Sequence, residues 1–109
     1  MSRSDDERVA DILEATDQLA QLVERGRAEF DADFVVRLAV ERLLEIIGEA
    51  ASAMSDEGRS DYAAIEWRDM TRLRIVLAHH YHRIDSGQVW TIASHGVPVL
   101  AARLRAPST

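Results

Sequence analysis

The chain contains no cysteine, which excludes a disulfide framework and a thiolate metal site. It has only two prolines, Pro98 and Pro107, so helices can extend over most of its length. No apolar run approaches the length that crosses a membrane, and the polar, acidic stretch 1–7 is the opposite of a secretion signal. From these absences we expect a cytoplasmic protein that does not contact a membrane.

The size and charge of the chain narrow its class further. Its 109 residues predict a single domain over 1–109, with 106–109 as a frayed tail, and its 47% apolar content excludes extensive disorder. The net charge of −6 argues against non-specific binding of nucleic acid over the whole surface. The window 66–85, however, has four arginines against three carboxylates. An anionic ligand is therefore favoured there rather than elsewhere.

Apolar residues recur at helical spacing along most of the chain, and no alternation typical of strands is visible. The predicted fold class is all-α. The predicted elements are a first helix from Ser4 to Arg25–Gly26, a second from Asp31 or Asp33 to about Met54, a loop over Ser55–Asp61, a turn at Ala63–Glu66, a third helix over Trp67–Ile84 and a last one from about Gln88. Gly96 and Pro98 predict that the last helix is interrupted or bent near them, because proline lacks the donor that a helix interior needs.

The second predicted helix has more apolar surface than a monomer requires. Its polar residues form one narrow stripe, which consists of Arg37, Glu41, Glu45, Glu49 and Ser52, with Arg42 beside it. A surface helix of a monomer needs an apolar stripe only about 100° wide. The helix is therefore either the centre of a bundle or partly in contact with a second protomer, and in so short a chain we favour the second protomer.

The segment 74–81 combines a permanent cation, two imidazoles and a phenol in an otherwise apolar helix. These groups are Arg74, His79, His80 and Tyr81. Arginine presents a planar fork of donors that suits a phosphate, and histidine transfers protons near neutral pH. Together they suggest phosphodiester chemistry. Arg74 and His79 lie about 140° apart around a helix, so a two-fold axis beside the helix would help to bring both groups to one site.

The same residues also fit a purely structural role. Arg74 would pair with a core-facing glutamate, His79 would cap or pack, and Tyr81 would be an ordinary bundle aromatic. A further alternative is a metal site on one face, because His79, His82 and Asp85 are spaced three residues apart. Spacing alone favours the structural role, since short motifs often match by chance.

A resemblance to a known family changes that balance. Arg74, His79, Tyr81, Ile84–Asp85 and Val89–Trp90 form the pattern R-x4-H-x-Y-x-x-I-D…V-W. This pattern is similar to the signature of the HepT-like toxins, which belong to the HEPN superfamily of ribonucleases. The stretch 39–50 resembles the I-G-E-A helix that the family has upstream, and Trp67 and Pro98–Leu100 also fit. The resemblance covers nearly the whole chain without large gaps.

The resemblance implies a role for each matching residue. Arg74 and His79 stand where the family has its two ribonuclease residues. Tyr81 stands where the family has the tyrosine to which a nucleotidyltransferase antitoxin of the MNT type attaches AMP. Further candidates for binding RNA or phosphate are Arg72, His80 and His82. The implied activity is that of an endoribonuclease toxin of a type VII toxin–antitoxin pair, which cleaves tRNA or mRNA.

The resemblance also implies an architecture. The family fold is an antiparallel, up-and-down four-helix bundle, here with a short extra helix, that forms a homodimer in which both motifs face a shared cleft. The family cleaves without a metal, and we expect no cofactor. One residue departs from the pattern, because Ile75 occupies a position that is usually polar. This departure favours an alternative in which the protein is a catalytically decayed helical dimer that serves as a scaffold for a nucleotidyltransferase.

Overall fold

The structure is a computed structural model that describes residues 4–79 and 85–107, and the side chains of residues 76, 78 and 79 lie outside the description. Every regular element within these residues is helical, which confirms the all-α class for the described part of the chain. The elements are α1 (Asp5–Val23), α2 (Arg27–Ala32), α3 (Phe34–Ala53), α4 (Asp56–Ser60), α5 (Trp67–His79), α6 (Ser86–Thr91), a π-helical turn (Ile92–Gly96) and α7 (Val97–Leu104).

Helix α1 begins at a capping box, as predicted at Ser4. The backbone N–H of Glu7 donates to Ser4 Oγ at 3.2 Å, and the backbone N–H of Ser4 donates to Glu7 Oε1 at 3.0 Å. The helix ends at Val23, slightly before the predicted Arg25–Gly26. Gly26 has a φ of +92°, a conformation that glycine adopts readily, and the chain turns there into α2, which was not predicted.

Helix α3 packs against both α1 and α5 and provides the centre of the core. Asp33 caps it by accepting a hydrogen bond from the Val35 N–H at 2.9 Å, which confirms the predicted start. Its buried residues are Val36, Val40, Leu44, Ile47, Gly48, Ala50 and Ala51. The predicted apolar surplus is therefore largely buried within the chain. Large apolar residues of α3 stay exposed only in its first turns, at Phe34, Val35 and Leu38.

The prediction of a loop over Ser55–Asp61 is wrong, because this segment contains the short helix α4. Ser55 Oγ accepts a hydrogen bond from the Gly58 N–H at 2.9 Å and so caps the helix. Asp56 and Glu57 follow in the first turn, where carboxylates favour a helix N-terminus. The cap and these charges outweigh the low helix propensity of Gly58.

The last helical stretch is interrupted, as predicted, but it begins earlier. Asp85 Oδ1 accepts a hydrogen bond from the Gly87 N–H at 2.8 Å, so α6 starts at Ser86 rather than at about Gln88. The π-helical turn at Ile92–Gly96 separates α6 from α7, and Pro98 lies in the first turn of α7. A proline fits there, because the first N–H groups of a helix have no partner within it.

Some predictions reach beyond what the structure describes. The third helix is confirmed from Trp67 to His79, and the rest of its predicted extent, 80–84, lies outside the described residues. The four-helix up-and-down order and the homodimer stay predictions. Among the described helices, none is both long and apolar enough to span a membrane.

Candidate functional site

The start of α5 is tied to the end of α3 by two side chains. Trp67 Nε1 donates to the carbonyl oxygens of Arg59, at 3.1 Å, and of Tyr62, at 3.2 Å. Arg59 Nη2 in turn donates to the carbonyl oxygens of Ala51, at 3.0 Å, and of Ser52, at 3.4 Å. Helix α5 therefore begins beside the last turn of α3 and runs back along it.

At Arg74, α5 comes close to α3. A Cβ atom added to Gly48 would lie 2.6 Å from the Cβ of Arg74 and 3.1 Å from its Cα and N. Any larger residue at position 48 would push the backbone of α5 away, so the absence of a side chain there sets the position of Arg74. This contact gives the I-G-E-A motif a physical meaning, since its glycine positions the arginine of the other motif.

The Arg74 side chain is exposed, and no described carboxylate forms an ion pair with it. Glu45 and Glu49, which flank Gly48 on α3, pair instead with Arg42 at 2.7 and 3.4 Å. The structural alternative, in which Arg74 pairs with a core-facing glutamate, is therefore not what the described residues show. A guanidinium without a carboxylate partner keeps its full charge for an anionic ligand.

The structure describes only some of the other predicted site residues. His79 is the last residue of α5, five positions after Arg74, so the two positions lie about 140° apart around the helix and ~7.5 Å apart along it. Arg72 is exposed on α5. The candidates His80, Tyr81 and His82 lie outside the described residues.

The remaining signature residues support the fold. Asp85 caps α6, and Val89 lies in the core with 2% of its surface exposed. Trp90 packs on Phe30 of α2, with ring centroids 5.2 Å apart and planes tilted by 49°. These residues hold α6 against α2.

A metal centre has no support in the part of the chain that the structure describes. Within residues 4–79 and 85–107, no group of three or more His, Asp or Glu side chains is arranged to hold a metal ion. The alternative metal site of the sequence analysis includes His82, which lies outside those ranges, so that alternative stays untested.

Among the residues that the structure describes, two carboxyl groups have shifted pKa values. Burial raises the pKa of Glu41, which lies on the same face of α3 as Gly48, and the charge of Arg37 partly opposes this rise. Hydrogen bonds from the side chain and the backbone of Ser55 lower the pKa of Asp5 at the start of α1. Neither shift involves a predicted catalytic residue.

Sequence reasoning missed a concave surface formed by residues of α4 and α5. It is lined by Arg59, Arg68, Thr71, Arg72 and Ile75. The spacing of Arg68 and Arg72, four residues apart on one helix, was a visible signal. Arg59 lies on a different helix, so only the packing of α4 beside α5 could bring it to this surface.

Comparisons with known proteins identify the family. The model of the family described as "Ribonuclease HepT-like" matches residues 12–106. "Probable ribonuclease HepT" of Thermococcus cleftensis is 32% identical over 94% of both chains. "Putative RNase MJ1380" of Methanocaldococcus jannaschii is 35% identical over 81% of this chain and 82% of its own. No solved structure matches the chain. The chain therefore belongs to the HepT-like ribonuclease family, as its motifs had indicated.

Proposed function

We propose that this protein is an endoribonuclease that cleaves RNA with Arg74 and His79. The observation that supports this best is the position of Arg74. Its exposed guanidinium has no described carboxylate partner, and its Cβ and backbone lie against Gly48 of α3. His79 is the last described residue of the same helix, α5. The names of the relatives, which call them ribonucleases, agree with the proposal.

The two residues match the needs of RNA cleavage by the 2′-hydroxyl group. That oxygen attacks the adjacent phosphorus and loses its proton, the bond from phosphorus to the 5′-oxygen breaks, and the leaving oxygen takes up a proton. His79 transfers protons, a role that contributes ~10²–10⁴-fold to the rate. Arg74 stabilises the negative charge that builds up on the phosphate oxygens. No metal ion takes part in these steps.

The proposed active form is a homodimer. Arg74 and His79 lie about 140° apart around α5, so a second copy is needed to complete a compact site. Phe34, Val35 and Leu38, each more than half exposed at the start of α3, offer an apolar surface to that copy. Leu38→Glu should shift the protein to a monomer in sedimentation velocity. Val99→Glu, which places the same charge at a similarly exposed apolar position of α7, should leave the dimer intact.

The proposed regulator is a nucleotidyltransferase antitoxin that transfers AMP from ATP to the hydroxyl of Tyr81 and releases pyrophosphate. The added nucleotide would place a bulky anion in the cleft and exclude RNA by volume and charge. His80 and His82 would border the same cleft. Intact-mass analysis should show added AMP units only after co-expression with the nucleotidyltransferase. Tyr81→Phe should prevent the addition, and Tyr62→Phe should not.

Substitutions of the two proposed catalytic residues test the function. Arg74→Ala and His79→Ala should each reduce cleavage of tRNA or mRNA by at least ~100-fold. The matched controls are Arg103→Ala and His95→Ala, which remove an exposed arginine and an exposed histidine of the α7 region. Circular dichroism should show that all four variants are folded. Retained cleavage in both Arg74→Ala and His79→Ala would overturn the proposal.

The exposure of Ile75 supports a second candidate function. This side chain is 47% exposed at a position where the family usually has a polar residue. The alternative is a helical dimer that binds a nucleotidyltransferase as a scaffold and has lost cleavage. Ile75→Asn should then restore cleavage to an inactive natural protein. Strong cleavage by the natural protein would exclude this alternative.

A further inference from the structure

The concave surface formed by α4 and α5 has an unusual composition for this chain. Three of its five lining residues are arginines, namely Arg59, Arg68 and Arg72, and none is acidic. The whole protein has a net charge of −6, with 19 acidic residues against 13 basic ones. We call these three arginines, together with Thr71 and Ile75, the arginine surface. Its charge is positive, whereas the net charge of the whole protein is negative.

The arginines of this surface have no carboxylate partners among the residues that the structure describes. Arg68 and Arg72 are exposed and lie four residues apart on α5, a spacing at which like charges repel and destabilise a helix by about 0.2–0.5 kcal/mol. An anionic ligand that bridges the two guanidinium groups would relieve this repulsion and be bound by both of them.

Arg59 is held rigidly at the edge of the same surface. Its Nη2 donates to the carbonyl oxygens of Ala51 and Ser52, at 3.0 and 3.4 Å. Its Nε is buried and makes no hydrogen bond. Carbonyl oxygens accept hydrogen bonds from this partly buried cation but do not cancel its charge. An anion at this surface would therefore be stabilised by it.

The arginine surface shares one face of α5 with position 79. Positions 68, 72, 75 and 79 follow the spacing i, i+4, i+7 and i+11, which keeps them within about 60° of one line along the helix. Position 79 lies ~16 Å along the axis from position 68. A single strand that reaches His79 can therefore continue along the arginine surface.

We propose that the arginine surface binds the phosphate backbone of single-stranded RNA next to the bond that is cleaved. This inference rests on the proposed ribonuclease function. Arg68 and Arg72 hold successive phosphates, Arg59 adds to the positive field, and the exposed side chain of Ile75 gives one base an apolar contact. Position 79 lies on the same face of α5 and the chain belongs to a ribonuclease family, which favours RNA over an acidic protein segment as the ligand.

The salt dependence of RNA binding tests this inference. The His79→Ala protein, which should not cleave, binds a fluorescent single-stranded RNA oligonucleotide, and anisotropy gives the affinity at several salt concentrations. Each phosphate contact adds ~0.7 to the steepness of log K against log salt for single strands. Adding Arg68→Gln and Arg72→Gln should therefore make the plot of log K against log salt less steep by about 1.4. Arg59 is not substituted, because its contacts with α3 support the fold.

The matched control removes the same charge from a different place. Arg25 and Arg27 pair with Glu29 and Asp31, at 3.3 and 3.4 Å, around the turn between α1 and α2. Arg25→Gln with Arg27→Gln should leave the slope unchanged. Equal slopes for both double variants would show that only net charge matters and would overturn the inference.

Two further outcomes separate the inference from the proposed function. If the natural protein cleaves RNA and loses cleavage with Arg74→Ala, yet the slope does not respond to Arg68→Gln and Arg72→Gln, the inference alone fails. If the natural protein cleaves no RNA but the slope falls as expected, the arginine surface stands and the ribonuclease proposal fails. Loss of nucleotidyltransferase binding with an unchanged RNA slope would assign the surface to a protein partner and overturn the inference.

Discussion

The arginines of this protein occupy two contrasting environments. Arg25, Arg27, Arg42 and Arg105 each form an ion pair with an exposed carboxylate, three of them with residues of their own or the neighbouring turn. On α5, Arg68, Arg72 and Arg74 have no such pair among the described residues. The same side chain is therefore ion-paired at these four positions and left available on α5.

This difference concerns ligands more than stability. Exposed ion pairs stabilise a protein by only about 0.2–1 kcal/mol, so the pairs on α1–α3 do little to hold the fold. They do neutralise positive charge locally, whereas no described carboxylate cancels the charge of the three arginines of α5. In a molecule of net charge −6, that contrast directs an anionic ligand to one helix.

Among substitutions outside the proposed catalytic residues, the largest effect is expected from one that displaces Arg74 without removing its charge. Gly48→Ala places a methyl group 2.6 Å from Arg74 Cβ, so α5 must move. We expect cleavage to fall by at least ~10-fold and the free energy of unfolding to fall by about 1–3 kcal/mol. Activity assays and urea denaturation measure the two effects.

Gly96→Ala is the matched control, because no atom lies within 4 Å of the position that its Cβ would occupy. It should leave cleavage unchanged and stability equal or slightly higher. If Gly48→Ala were as active and as stable as Gly96→Ala, Gly48 could not be what positions Arg74.

A smaller effect is expected on stability, where substitutions in the two groups of arginines should differ. Arg42→Gln removes the pairs with Glu45 and Glu49 and should cost about 0.2–1 kcal/mol at low salt, with the cost disappearing at high salt. Arg68→Gln loses no described pair and relieves the repulsion with Arg72, so it should be neutral or stabilising by up to about 0.5 kcal/mol. Thermal unfolding at two salt concentrations measures both, and equal losses would contradict the contrast.

The smallest effect concerns a carboxylate of α3. Burial raises the pKa of Glu41 above its ordinary value of 4.5, so the ionised group disfavours the folded state at neutral pH. Glu41→Gln should raise Tm by about 1–2 °C at pH 7. The gain should disappear below pH 4.5, where Glu41 is protonated in both states. Glu14→Gln, at an exposed position of α1, should show no such gain at pH 7.

Local signals in the sequence predicted much of the fold. Side chains that cap helices act within three residues, so Ser4 and Asp33 marked the starts of α1 and α3 correctly. Helix α4 was missed because Gly58 and its polar neighbours are typical of a loop. The side chain of Ser55 nevertheless caps this helix.

Part of the candidate site could likewise be predicted from the sequence, and part of it could not. The spacing of Arg74 and His79 and the motif around them were visible in the sequence, as was the glycine at position 48. That Gly48 receives Arg74, and that Arg59 joins Arg68 at one surface, could not be predicted. Both facts depend on contacts between residues 9 to 26 positions apart along the chain, and helical periodicity carries no information about them.

The sequence by itself determined the helical class, the family and the residues proposed for catalysis, because capping, periodicity and motif spacing are local properties of the chain. Only the tertiary structure decided which arginines are free to bind a ligand. Whether a guanidinium is neutralised depends on which carboxylates the packed helices bring within about 4 Å of it, and Coulomb interactions in water weaken strongly beyond that range. The function proposed for α5 depends on that arrangement of charges.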